Sequence, residues 1–109
     1  MKQFVIYDPI DDPVAGYRSG YAKVRYQDPA RGKVFKTLKH ATAAAELMNV
    51  NRRVPPGIPT PSRHYRHAPL NEIHEFDRDW NKVAVHQAPP CWMSLDTRAQ
   101  TTTVIQGNV

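Results

Sequence analysis

Residues 54–61 read VPPGIPTP, four prolines and one glycine in eight positions. Proline has no amide proton to give to a helix or a sheet ladder, so no helix and no central strand passes through this stretch. An extended, stiff loop over 54–62 is expected, crossing the middle of the chain. The whole chain has 109 residues, enough for one hydrophobic core and not for two, so 1–109 is read as a single domain.

Regular structure is therefore sought on either side of that loop. Phe4 to Tyr7 is aromatic and β-branched and is stopped by Asp8-Pro9, which reads as a short strand followed by a loop to Gly16. Tyr17 to Gln27 reads as a longer strand, with Ala22, Val24 and Tyr26 on one face and Tyr17, Tyr21, Lys23 and Arg25 on the other, outward face. Asp28-Pro29-Ala30-Arg31-Gly32 is a turn, after which Lys33 to Lys36 returns as the second arm of a hairpin. Thr37 is placed to N-cap the stretch LKHATAAAELMN, whose Leu38, Ala41, Ala45 and Met48 recur at helical spacing beside Ala44 and Leu47. The helix should end at Asn49 or Asn51. Residues 70–77 fit either a short helix opened by Pro69 or a strand in which Ile73 alternates with His74. Trp80 to Gln87 ends in a strand, and 89–109 is either an edge strand or a frayed tail. The expected fold is α+β: a small antiparallel sheet packed against one main helix, with a proline-rich central loop.

Charge is unevenly distributed. The formal net charge is +5, but residues 17–67 alone hold eleven Lys or Arg against Asp28 and Glu46, a local balance of +9, while each flank is −2. Such a dipolar layout favours encounter with a polyanion or an acidic protein surface. The single cysteine, Cys91, makes no internal disulfide and reads as a small hydrophobe beside Trp92. MKQFVIYDPIDD has no long apolar run behind its lysine, and nothing approaches a membrane span, so a reducing, cytoplasmic setting is expected.

Two groups of residues are candidates for partner binding. Tyr21, Lys23 and Arg25, with Arg31, Lys33 and Lys36 on the hairpin, interleave rings and cations as single-strand nucleic-acid surfaces do. Arg52 and Arg53 on one side of the proline loop, with Arg63, Tyr65 and Arg66 on the other, form a second cluster able to grip carboxylates or phosphates. Against these stand weak catalytic signals. Ser62 and Ser94 lie in no nucleophile elbow, and the five glycines are not grouped into a phosphate-cradling loop. Glu72, Glu75, Asp77 and Asp79 crowd one segment but read as a solvated surface. His40, His64, His67, His74 and His86 read as surface histidines. Neither a Cys-x-x-Cys pair nor a His-Glu-x-x-His helix is present, so no metal or other cofactor is expected.

The stretch GYRSGYAKVRYQDPARGKVFKTLKHATAAAELMN, Gly16 to Asn49, resembles a hairpin-helix pattern of small phage and prophage proteins: a glycine- and tyrosine-containing strand, a lysine-rich turn, Phe-x-Thr and an alanine-rich helix. The resemblance covers about a third of the chain and implies a role of the counter-defence type, anti-CRISPR proteins among them. Such proteins act by adhering to a host machine. The expectation is then a non-catalytic interaction protein that blocks a host protein or ribonucleoprotein complex in the host cytoplasm. The alternative is direct nucleic-acid binding through the same basic and aromatic residues.

Overall fold

The structure, a computed structural model, describes residues 2–14, 16–21, 24–50, 52–53, 68–91 and, for the backbone alone, 102–104. The proline-rich loop lies outside these residues. The fold is the α+β arrangement expected: among the described residues, six short strands form one antiparallel sheet with one α-helix against it. The strands are β1 (Gln3–Asp8), β2 (Gly20–Tyr21), β3 (Val34–Phe35), β4 (Glu72–Phe76), β5 (Lys82–Gln87) and β6 (Thr102–Val104), and the helix α1 is Leu38–Met48. One edge of β1 pairs with β4 over Gln3 to Tyr7. Its other edge is shared, Tyr7 and Asp8 by β2 and Phe4 and Val5 by β3. β5 continues the sheet beyond β4, and β6 pairs with Ala84 to His86 at the far edge.

Two sequence expectations are corrected here. Tyr17 to Gln27 is not one strand. Tyr21 and Tyr26 exchange both backbone hydrogen bonds (2.8 and 3.0 Å), so the chain doubles back between them. Gly20 permits this, because a Cβ there would sit 2.4 Å from the carbonyl oxygen of Arg25. Lys33 to Lys36, in turn, does not pair with that segment; β3 pairs with β1, its Phe35 opposite Phe4. The ambiguity at 70–77 resolves as strand β4. Its turn into β5 closes on Asp77, whose Oδ1 accepts from the amides of Asp79 (2.9 Å) and Asn81 (3.0 Å). The Asn81 amide and then its side chain, with Asp79, hold the Asp77 carboxyl below its usual range.

The sheet buries residues on both faces. Phe4 and Ile6 of β1 and Ile73 of β4 point to the helix and meet Ala41 and Ala45, both with no exposed surface, with Phe35, Leu38, Ala44 and Met48 around them. Alanine at the two central helix positions lets the helix backbone come close to the sheet. Thr37 caps the helix as anticipated, accepting from the His40 amide at 3.2 Å, and Asn49 is the C-cap. Val5, Tyr21 and Phe76 pack on the other face, with Tyr7, Tyr26 and Trp80 beside them.

Candidate functional site

The basic residues expected to form one outward surface divide into two sets. Arg52 is turned inward and is only 5% exposed. Its Nη1 donates to Asp8 Oδ1 (3.1 Å) and to the Pro69 carbonyl (3.0 Å), and its Nη2 to Asp8 Oδ2 (2.8 Å). Asp8 is itself buried and also accepts from the Ile10 amide at 3.1 Å. The same carboxylate draws in Arg25, whose Nη2 lies 3.0 Å from Oδ2, with the Arg25 backbone held at φ 62° against Gly20. Arg52 and Arg25 are thus largely neutralised and join the end of β1 to two later segments of the chain, one before the helix and one after it. Tyr21 is likewise not on an outward face: it is 6% exposed and belongs to the core of the open sheet face. Asp8, read from sequence as a strand stop, is a buried anion that gathers the two arginines around it, and the broken strand sets Tyr21 beside β1, opposite Tyr7.

The second set stays in solvent. Arg31, Lys33 and Lys36 are exposed, as is Lys39, which sequence reasoning had not selected. Lys39 follows the inward Leu38 by one residue, about 100° around the helix, a placement that could have been read from spacing alone. Within these nine residues there is no carboxylate. Among the described residues none of the four cations lies in an ion pair. The Arg31 guanidinium lies over the Tyr26 ring, 4.9 Å from its centre, and the Lys33 ammonium over that of Phe35 at 5.1 Å, so both cations rest on ring faces while their residues stay exposed. Arg53 is also exposed, at φ 56°. Lys23, Arg63, Tyr65 and Arg66 lie outside the described residues.

Beside this strip runs an apolar groove of about 390 Å³. Ala44, Leu47 and Met48 of α1 form one wall, and Val24, Lys33 and Phe35 the other, with buried Ile6 beneath. Leu47, which sequence spacing sets beside the inward row of the helix, is 70% exposed, and Val24, expected on the apolar face of its strand, is 66% exposed.

A third arrangement was missed by sequence reasoning, which read His74 and His86 as surface histidines and Glu72 and Glu75 as solvated carboxylates. Both histidines are buried. On the open face, His74 Nδ1 is 2.8 Å from the Tyr21 hydroxyl and Nε2 is 2.8 Å from Glu72 Oε1, while Tyr7 stacks on the ring at 4.5 Å. A neutral ring protonated at Nε2 satisfies both contacts, donating to Glu72 and accepting from Tyr21. Burial, then the neighbouring Tyr7 and Glu72, push the Tyr21 hydroxyl up to about 12, so it remains a neutral donor near neutral pH. The chain borders an open cleft of about 580 Å³ lined also by Gln27, Lys82 and Val85. Both ring nitrogens are committed to protein partners, so His74 presents no lone pair to a substrate. On the helix face, His86 Nε2 meets Glu75 Oε1 at 2.8 Å, and Lys2 reaches Glu75 Oε2 at 3.5 Å. The helix packs over one face of the sheet and the Tyr7, Tyr21 and Phe76 rings over the other, and no pattern local to either histidine announces these contacts.

Among the described residues no cluster of three or more His, Cys, Asp or Glu is arranged to hold a metal ion, and no helix is long and apolar enough to cross a membrane. No protein-family model, curated protein or solved structure matches the chain.

Proposed function

We propose that this chain is a non-catalytic interaction protein that binds and occludes an acidic surface of a partner protein or ribonucleoprotein. The observation that carries the proposal is the strip Arg31, Lys33, Lys36 and Lys39: four exposed cations in nine residues, none in an ion pair among the described residues. Cations paired within the fold add little to a long-range field, whereas unpaired ones raise association rates with a surface of opposite charge. The Tyr21–His74–Glu72 chain supports a binding role over a catalytic one, because both nitrogens of its histidine are spent inside the fold. The phage-type resemblance of Gly16 to Asn49 extends the reading to a counter-defence protein acting in the host cytoplasm, with Arg53 and the arginines beyond the proline loop as further contacts.

The test is capture from nuclease-treated host lysate with the intact protein and with the double variant Lys33→Glu, Lys36→Glu. A discrete partner retained by the first and lost by the second supports the proposal. Recovery that disappears on nuclease treatment would favour the second reading, direct nucleic-acid binding, which draws on the same strip. That reading has its own signature: affinity for random oligonucleotides should fall steeply with salt, with a log–log slope of roughly −0.7 per phosphate contact on single strands.

A further inference from the structure

We infer that the groove between α1 and β3 receives the apolar side chains of an acidic amphipathic peptide segment of the partner, an inference that rests on the interaction reading above. Single exposed apolar residues are ordinary on a protein surface. Here Leu47 and Val24 stand on opposite walls of one cavity whose remaining surface includes Phe35, Ala44 and Met48, so the exposed apolar area is contiguous and concave. Methionine in such a wall adapts its shape to an incoming side chain.

Charge selects the occupant. Among the described residues the groove lining holds no carboxylate and one charged group, Lys33, whose ammonium lies over the Phe35 ring 5.1 Å from its centre. Lys36 and the exposed His40 lie on the same stretch of chain. A segment with two or three apolar anchors flanked by Asp or Glu satisfies both parts of the surface. A second copy of this chain would bring one cationic strip against another. Nucleic acid is disfavoured because the groove's aromatic ring, Phe35, has its face covered by Lys33 and offers no stacking platform. Strand addition is also disfavoured: β3 has two residues, too few for a ladder.

The experiment uses a fluorescently labelled helical peptide with Leu and Phe on one face and glutamate elsewhere, and a control of equal charge in which the apolar anchors are serine. Fluorescence anisotropy is measured with the intact protein, with Leu47→Ser, with Val24→Ser, and with Lys33→Glu, Lys36→Glu. Leu47 and Val24 are exposed, so their serine variants should keep the circular dichroism spectrum and melting temperature. The anchored peptide should bind at least about tenfold tighter than its control, with each serine variant weakening it roughly three- to tenfold. Charge reversal should weaken both peptides. Equal binding of the two peptides, unaffected by Leu47→Ser, overturns the groove inference and leaves the cationic strip standing. Anchored-peptide binding that ignores the charge reversal but responds to Leu47→Ser sinks the strip reading instead. Failure of both peptides to bind overturns the inference. So does a concentration-dependent dimer abolished by Leu47→Ser, or displacement of the anchored peptide by a random oligonucleotide of equal charge.

Discussion

Replacing Asp8 with alanine should bring the protein close to unfolding. Asp8 is 2% exposed, and its two oxygens accept from both terminal nitrogens of Arg52, from Arg25 and from the Ile10 amide. Alanine leaves the Arg52 guanidinium buried without its carboxylate. Removing one member of a buried ion pair costs about 3–5 kcal/mol, because the remaining charge keeps its desolvation penalty and loses its compensation. A domain of this length has only about 5–15 kcal/mol in total, so urea unfolding followed by tryptophan fluorescence should show a large fall in midpoint at constant slope. The melting temperature should drop by roughly 15 °C or more. Arg52→Met should cost less, since Asp8 then keeps Arg25 and the Ile10 amide. The pair Asp8→Ala, Arg52→Met, which removes both charges, should cost less than the two single changes together, giving a coupling energy above about 1.5 kcal/mol. A cost for Asp8→Ala below about 1 kcal/mol, or single effects that add within about 0.5 kcal/mol, would refute the view that this buried pair ties the end of β1 to the chain beyond the helix.

Other perturbations test other joints. Gly20→Ala places a Cβ 2.4 Å from the Arg25 carbonyl oxygen, a contact with backbone that no rotamer relieves, and should destabilise by about 1–3 kcal/mol on the same urea assay. Asn49 is fully buried; its Oδ1 accepts from the Asn71 amide (2.8 Å) and Asn71 Nδ2 (2.9 Å) and its Nδ2 donates to the Pro89 carbonyl (3.0 Å), so Asn49→Ala should cost about 2–4 kcal/mol. Burial raises the Tyr21 hydroxyl from 10.0 to about 12, so the folded state holds the phenol proton more tightly than the unfolded state. Its contribution to stability is complete below pH 10 and is lost as pH rises toward 12. Ultraviolet titration should show one of the five tyrosines ionising late or only on alkaline unfolding, and Tyr21→Phe should abolish that phase; five tyrosines ionising together near 10 would contradict the buried position.

Local signals in the sequence were sufficient for the helix and for the fold class. Thr37, the alanine spacing and Asn49 are interactions within a few residues of one another, and patterning reads such interactions well. The break after Tyr21 was not legible, because it depends on a contact between Gly20 and Arg25 that exists only once the chain has turned, and on a carboxylate at Asp8 that draws Arg25 across. Nor was the inward course of Arg52, whose partner lies 44 residues earlier. A glycine inside an alternating strand pattern is a known mark of close backbone approach, so Gly20 carried a hint of the break but not its location. His74 and His86 looked like surface residues because each follows an apolar neighbour in alternating phase. Each ring is instead covered by residues distant in the sequence, His74 by Tyr7 and Tyr21 and His86 by Phe4 and Glu75.

These misplacements share a consequence for function. Formal charge summed along a sequence counts Arg25 and Arg52 equally with Lys36, yet their effects on an approaching partner differ greatly. The field of a buried guanidinium held against a carboxylate is that of a small dipole and fades within a few ångströms, whereas an exposed lysine in an acid-free stretch acts over about a Debye length, ~8 Å at physiological salt. The central excess of cations therefore does two separate things. Part of it closes the fold around Asp8, and part forms the strip from Arg31 to Lys39. Charge reversal at Lys33 and Lys36 should change association rate with little change in stability, and substitution at Asp8 or Arg52 should do the opposite. If both kinds of variant altered stability alike, the division between structural and surface cations would be wrong, and the case for an acidic partner would lose its footing with it.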